Sequence, residues 1–137
     1  MGVFESGFQC IFSESTAIPL MIFGIFFGIV FGCIPGLTAT LGVVLLIPIT
    51  YAMEPVQGMA LLLGVYVGGI SGGLITATLL NIPGTPSSIF TCWDAYPMAK
   101  KGKPGLALNI GVFSSLIGGL FSAVALICIA PQLAKVA

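Results

Sequence analysis

Charge is almost absent from this sequence: only 6% of its 137 residues are charged, and histidine and arginine do not occur. A soluble domain usually carries about 25% charged residues, so most of this chain cannot face water. The absence of histidine removes the commonest general base and metal ligand. Four acidic and four basic residues give a net charge of zero, which leaves no basic surface for a nucleic acid.

Cysteine is sparse as well, and none of the four cysteines stands in a CxxC pair. Zinc and redox sites need grouped ligands, so the spacing of Cys10, Cys33, Cys92 and Cys128 favours small apolar fillers. We expect no metal and no cofactor. The first ten residues contain Glu5 and no lysine, which is untypical of a cleaved signal peptide. The first apolar stretch is therefore expected to be a retained span.

Hydrophobic residues make up 58% of the chain, and they are concentrated in long runs. Residues 16–34, 56–80 and 106–130 are free of charge, and each run can cross a hydrocarbon core about 30 Å thick. The shorter run 37–53 is broken near its end by Pro48 and is either a tilted span or a re-entrant hairpin. A second short piece, 86–93, follows the second long run. These features predict an all-α integral membrane protein with about three to five hydrophobic helical segments in a single membrane domain.

The one clearly polar stretch, residues 94–105, is rich in proline, glycine and lysine and is predicted to be a loop. Three of the four lysines lie in it, so the positive-inside rule places Lys100–Lys103 in the cytoplasm. Lys135 follows the third long run and weakly favours the opposite orientation. Glu54 and Asp94 flank apolar runs, where each either lies at the membrane interface or takes part in ion coupling.

Small residues recur at helical spacing on three of the apolar runs. Such stripes let helix backbones approach closely in lipid. Generic helix packing is the simpler interpretation, and a smooth surface for one helix bundle sliding past another is the alternative. The three sets are Gly24, Gly28 and Gly32; Gly64, Gly68 and Gly72, with Gly69 and Gly73 beside them; and Gly111, Ser115 and Gly119.

An Ile-Pro-Gly sequence followed by hydroxyl residues occurs twice, at 34–40 and at 82–88. Proline ends a helix and glycine permits a sharp turn. A helix that restarts there offers unpaired N–H groups to an anion, and paired interrupted helices indicate the midplane site of a transporter. Two loops at the membrane surface are the alternative. The predicted substrate-binding residues are Pro35, Gly36, Thr38, Thr40, Asn81, Pro83, Gly84, Thr85, Ser87 and Ser88.

The segments PGLTATLGVVLLIPITYAMEP and LLNIPGTPSSIFTCWDAYPMAKKGKPGLAL resemble the large membrane subunit of tripartite tricarboxylate transporters, the TctA family, and the resemblance runs from about Gly24 onward. It implies a permease of the bacterial inner membrane that imports di- and tricarboxylates without ATP. The expected partners are a periplasmic solute-binding protein, a small membrane subunit, membrane lipid and a coupling ion, Na⁺ or H⁺. The family's motifs match residues 35–42 and 81–88, which extends the site role to those positions.

The sequence departs from the family pattern in two respects. Ala95 stands where the family commonly has glycine, and the family's large subunit is several times longer. The chain is therefore expected to be the N-terminal part of a larger permease. A non-transporting structural or assembly subunit without a site, or a truncated remnant of the permease, is one alternative. An intramembrane enzyme that pairs Ser87 or Ser88 with Lys100 is another, and the sequence favours a protein that is not an enzyme.

Overall fold

The computed structural model describes residues 15–133 of the chain. Within them lie five α-helices, one short 3-10 turn and no strand, which confirms the predicted all-α class. Residues 1–14 and 134–137 lie outside the described part, and with them Glu5, Cys10 and Lys135. The elements are α1 (Ala17–Gly32), α2 (Ala39–Thr50), α3 (Pro55–Leu80), the 3-10 turn Pro86–Ser88, α4 (Ile89–Lys100) and α5 (Pro104–Leu133).

Two helices have the length and composition of membrane spans. Pro55–Leu80 and Pro104–Ile129 are each 26 residues long and apolar on average. A helix of 26 residues rises about 39 Å, more than a hydrocarbon core of about 30 Å. Large apolar side chains on α5 are open to the surroundings, with Phe113 67% and Phe121 75% exposed. An apolar surface of this extent needs lipid or another protein segment against it, as expected of an integral membrane protein.

Helix α3 organises the other helices, and α1 runs parallel to it. A β-carbon built on Gly24 would lie 2.5 Å from the Leu61 carbonyl oxygen, and Gly32 touches the backbone of Gly69. The contact therefore advances by eight residues on both helices. Because both chains present glycine along this line, the two backbones pack directly against each other, as small-residue stripes allow in lipid.

Helix α2 runs back along α3 in the opposite direction. Ala39, the first residue of α2, packs on Gly69, and Thr50, the last, packs on Gly58. Helices α1 and α2 thus form a hairpin alongside the first half of α3. With 16 and 12 residues, they rise only about 24 and 18 Å. The re-entrant interpretation of residues 37–53 is the one that this geometry supports.

The turn of this hairpin, residues 33–38, is called the first tip. It lies beside Gly69, about 2 Å from the midpoint of α3 between Val67 and Gly68. The described part of α1 is shorter than the predicted span 16–34, because the helix ends at Gly32 and the chain turns at Pro35 and Gly36. The first tip therefore lies near the middle of a helix that is long enough to cross the membrane.

A second hairpin approaches from the other end of α3. After Leu80 the chain turns at Asn81, whose φ of 58° is left-handed, and residues 81–88 fold back along α3. This segment, the second tip, reaches Gly73, where Thr85 and Ser88 pack. Gly73 is about 8 Å from the midpoint of α3. Helix α4 then leads out again, and α5 returns antiparallel to it, so that Ala107 lies near Asp94.

The structure corrects two predictions about proline. Pro48 does not break its helix, since α2 continues through it to Thr50; membrane helices tolerate proline where neighbours and hydroxyl side chains satisfy the freed groups. Residues 94–105 are not one loop, because α4 includes Pro97 and ends at Lys100. Packing of α4 against α3 and α5 outweighs a proline cost of about 3 kcal/mol. The turn itself is Lys101–Lys103, where Gly102 has a φ of 79°.

Candidate functional site

The second tip meets the end of α1, immediately before the first tip, beside α3. A β-carbon built on Gly84 of the second tip would lie 3.1 Å from the Gly32 carbonyl oxygen, at the end of α1, and 2.8 Å from the α-carbon of Gly73. It would also lie 3.0 Å from the Thr76 hydroxyl oxygen. Only glycine fits among these atoms, so the absence of a side chain at Gly84 lets the second tip reach the end of α1, next to the first tip.

The first tip presents a turn followed by a helix N-terminus. Gly36 has a φ of 95°, a left-handed value that favours glycine, and both Pro35 and Gly36 are exposed. Thr38 is the N-cap of α2, and its hydroxyl oxygen accepts a hydrogen bond from the Leu41 N–H at 3.3 Å. The Thr38 proton remains available as a donor, beside the positive end of the α2 dipole.

The second tip gathers three hydroxyl groups. The Thr85 hydroxyl oxygen lies 3.0 Å from that of Ser87 and 2.7 Å from that of Ser88. Thr85 is 9% and Ser88 5% exposed, whereas Ser87 is exposed. This cluster forms because the 3-10 turn Pro86–Ser88 folds the two serines back toward Thr85. Hydroxyls at this depth need such partners, since lipid offers none.

Three of the predicted site residues lie away from this buried cluster. Thr40 is exposed on α2, and Asn81 and Pro83 are exposed on the second tip before Gly84. Asn81 caps α3 in a left-handed conformation, a role that asparagine fills more readily than most residues. The structure therefore brings Gly84 to the end of α1 and Thr85 to Gly73, next to the first tip, and leaves Asn81, Pro83 and Thr40 exposed outside this cluster.

Comparison with known proteins gives the family of this chain. The chain matches the Tripartite tricarboxylate transporter TctA family over residues 18–137. The chain belongs to the TctA family. It is also 40% identical, over 104 residues, to the "Uncharacterized 52.8 kDa protein in TAR-I ttuC' 3'region" of Agrobacterium vitis. The aligned part covers 76% of this chain and 21% of that relative, so the chain spans about a fifth of the relative's length. No solved structure matches it.

The TctA-family chain also has a largely apolar cleft, with several hydroxyl side chains on its wall, that no sequence pattern predicts. A cavity of about 560 Å³ lies between α3, the second tip with the start of α4, and α5. Ser71 of α3 and Ser115 of α5 line it together with Ser87 and Ser88. Ser115 was assigned only to a packing stripe, and Ser71 carried no motif. Only the tertiary arrangement places these hydroxyls opposite the second tip.

The pair required by the enzyme alternative does not form in this TctA-family chain. Ser88 precedes α4 and Lys100 ends it, so twelve residues of helix, about 18 Å, separate them. The Lys100 ammonium instead lies 5.2 Å from the centre of the Tyr96 ring, a cation–π contact. This separation leaves Ser87 and Ser88 with the Thr85 hydroxyl as their neighbour, at 3.0 and 2.7 Å.

Proposed function

We propose that this chain forms the N-terminal membrane part of the large subunit of a tripartite carboxylate importer. The remainder of the permease, a periplasmic solute-binding protein and a small membrane subunit complete the system, and a Na⁺ or H⁺ gradient drives uptake of di- and tricarboxylates. The observation that carries the proposal is the meeting of two hairpins, which approach from opposite ends of α3 and touch at Gly84 and Gly32. Transporters bind their substrates at such interrupted helices.

The substrate carboxylate is proposed to bind where the tips meet. The N-terminus of α2 and the Thr38 hydroxyl provide neutral donors there, and a helix N-terminus attracts anions. No lysine lies in residues 33–38 or 81–88. Neutral donors hold an anion less tightly than a charged clamp does, which suits a carrier that must also release its substrate. Gly84 is the residue through which the second hairpin contacts Gly32. The proposed lining is completed by Pro35, Gly36, Thr40, Asn81, Pro83, Thr85, Ser87 and Ser88.

The proposed orientation in the bacterial inner membrane follows from the lysine-rich turn. Lys101–Lys103 lies at the end of α3 that Leu80 occupies, because α4 leaves the second tip in the direction of α3. With this turn in the cytoplasm, the second hairpin enters from the cytoplasmic side. The α1–α2 hairpin then enters from the periplasmic side, so that each side of the membrane has one re-entrant hairpin leading to the site.

A threonine-to-valine exchange tests the proposed carboxylate site, since valine keeps the shape and removes the hydroxyl. We expect Thr38→Val to raise the substrate concentration for half-maximal citrate uptake about tenfold or more. The variant removes one hydrogen bond from the Thr38 hydroxyl to the charged substrate carboxylate. Uptake of radiolabelled citrate is measured in cells that produce this chain with the remaining transporter components.

Thr50→Val is the matched control on the same helix. The Thr50 hydroxyl donates to the Ile47 carbonyl at 2.7 Å, at the end of α2 far from the tips, so uptake should stay near wild type. Equal uptake by Thr38→Val and Thr50→Val, at equal protein levels in the membrane, would overturn the assignment of the site to the tips.

A structural or assembly subunit is the second candidate, and the exposed surface of α5 favours it. Residues 112–129 of α5 are exposed throughout, so this face packs on lipid or on a partner beyond the described part of the chain. An assembly role predicts that the chain co-purifies with a longer permease segment while Thr38→Val leaves uptake unchanged. Loss of uptake in that variant at normal co-purification decides for the permease.

A further inference from the structure

The turn between α4 and α5 concentrates positive charge at one point of the chain. Lys100, Lys101 and Lys103 follow each other closely, and all three side chains are exposed. No acidic residue comes after Asp94 in the sequence. Asp94 itself lies deeper on α4, where it lines a cavity together with Ala107. The turn therefore carries three neighbouring positive charges and contains no acidic residue.

The backbone of this turn presents hydrogen-bond donors as well. The last carbonyls of α4, at 97–99, accept hydrogen bonds from the N–H groups of residues 101–103, so these acceptors are engaged. Helix α5 then begins, and its Ala107 N–H donates to the Lys103 carbonyl at 3.2 Å. The N–H groups of residues 105 and 106 precede that bond. The first N–H groups of a helix have no partner within it, and the helix dipole is positive there.

An apolar surface lies directly below the lysines. Trp93, Tyr96 and Lys100 share one face of α4, because they are spaced by three and four residues. Trp93 is 75% exposed, and the Lys100 ammonium lies 5.2 Å from the centre of the Tyr96 ring. Seven residues of helix place Trp93 about 10 Å further along α4 from the turn than Lys100. On α5, Leu106 is also exposed and extends this surface.

We propose that this turn binds the phosphate of an anionic phospholipid, such as phosphatidylglycerol, whose acyl chains lie against Trp93. Helix α5 is long enough to cross the membrane, so the turn at its first residue lies at headgroup level. Clustered lysines at the end of a membrane helix attract anionic headgroups, and a helix N-terminus attracts phosphate. A soluble anion would use these charges alone, whereas the apolar surface below them needs an apolar occupant. The proposal does not depend on the transport function.

The sole tryptophan of the chain, Trp93, makes its fluorescence a local probe of the lipid beside this face. The purified chain is reconstituted in phosphatidylcholine bilayers that contain increasing fractions of brominated phosphatidylglycerol or brominated phosphatidylcholine. Bromine quenches tryptophan only at close approach, so the lipid fraction for half-maximal quenching measures binding next to Trp93. We expect phosphatidylglycerol to bind about tenfold more tightly, since each lysine near the headgroups contributes roughly fivefold.

Three variants separate charge at the turn from charge elsewhere. Lys101→Gln combined with Lys103→Gln changes only exposed side chains and should lower the preference for phosphatidylglycerol about fivefold or more. Arginine at the same two positions keeps the charge and should retain the preference. Lys135→Gln is the matched control, because it makes the same change of charge but follows the 30 residues of α5 in the sequence. It should quench as wild type does.

The outcomes decide between a lipid and other occupants. Equal quenching by the two brominated lipids overturns the proposal, as does loss of the preference in the arginine variant or in Lys135→Gln. Inorganic phosphate, added at constant ionic strength, tests for a soluble anion. If it abolishes the preference as the glutamine variant does, the turn is a soluble-anion site and the lipid site is refuted. No carboxylate is present in this measurement, so its result is independent of the carboxylate site.

Discussion

The contact between α1 and α3 predicts a large effect from adding a single methyl group at Gly28. A β-carbon there would collide with the Val65 carbonyl group and lie 2.8 Å from the Gly69 nitrogen. Both neighbours are backbone atoms of a helix, so neither can rotate away. We therefore expect Gly28→Ala to push the two helices apart along their whole line of contact.

The magnitude follows from how dispersion falls with distance. A separation of 0.5–1 Å forfeits about a quarter to a half of each contact, and the same interface includes Gly24, Gly32, Gly64 and Gly68, each in direct contact with the facing backbone. Overpacking of a close-packed interface typically costs about 1–3 kcal/mol. Because neither backbone can yield here, we expect about 2–3 kcal/mol for Gly28→Ala.

The assay is reversible unfolding of the chain in mixed micelles, followed by helical circular dichroism as the denaturing detergent increases. Gly119→Ala is the control, since a β-carbon at Gly119 meets no atom within 4 Å. It should be neutral or slightly stabilising, because alanine favours helix over glycine by up to about 1 kcal/mol. Equal unfolding free energies for Gly28→Ala and Gly119→Ala would refute the close-contact reasoning.

Two further predictions concern the tips. Gly84→Ala should lower citrate uptake roughly tenfold or more, measured at equal levels of protein in the membrane. The added methyl group would crowd Gly73 and Gly32, and a displacement of about 1 Å at a site costs up to 10²-fold in rate. Uptake like that of the wild type would show that the contact between Gly84 and Gly32 is not needed. Gly36→Ala should destabilise the chain by about 1–2 kcal/mol in the detergent assay, because the φ of 95° at this residue is left-handed. A β-carbon there meets no atom within 4 Å, so the cost is conformational and not steric. Gly36→Asn should cost less, since asparagine tolerates this region, and the opposite order would contradict a conformational cause.

Local sequence misjudged those segments in which packing outweighs propensity. Pro48 and Pro97 both predicted an interruption, and both lie inside helices. Asp94 to Lys100 is polar and contains proline, yet it is helical because α4 packs against two apolar helices. By contrast, Pro35 with Gly36 ends α1 as predicted. The difference lies in the glycine that follows, which supplies a left-handed turn at φ 95°.

The candidate site divides in the same way. Its hydroxyl residues at 85, 87 and 88 follow a Pro-Gly pair, and this local pattern was enough to select them. The cleft serines Ser71 and Ser115 come from two helices more than forty residues apart. Ser71 belongs to no local pattern, and Ser115 belongs only to a packing stripe, which does not point to the cleft. A second pair of glycines on α3, Gly69 and Gly73, indicates from the sequence that a further segment packs on this helix. In the structure Ala39 packs on Gly69 and Thr85 packs on Gly73.

The sequence by itself determined that most of the chain faces lipid, that its secondary structure is helical, and that the helices are interrupted at 34–40 and at 82–88. These depend on composition and on neighbours in the chain: charge is too scarce for water, and a Pro-Gly pair inside an apolar run interrupts the helix, as at 35–36 and 83–84. Only the tertiary structure decided that α1 and α2 return on the same side, that the second tip folds back to Gly73, and that Gly84 meets Gly32. Those facts depend on which backbones fit against each other, and the fit of a glycine on one helix to a carbonyl on another cannot be read from either helix alone.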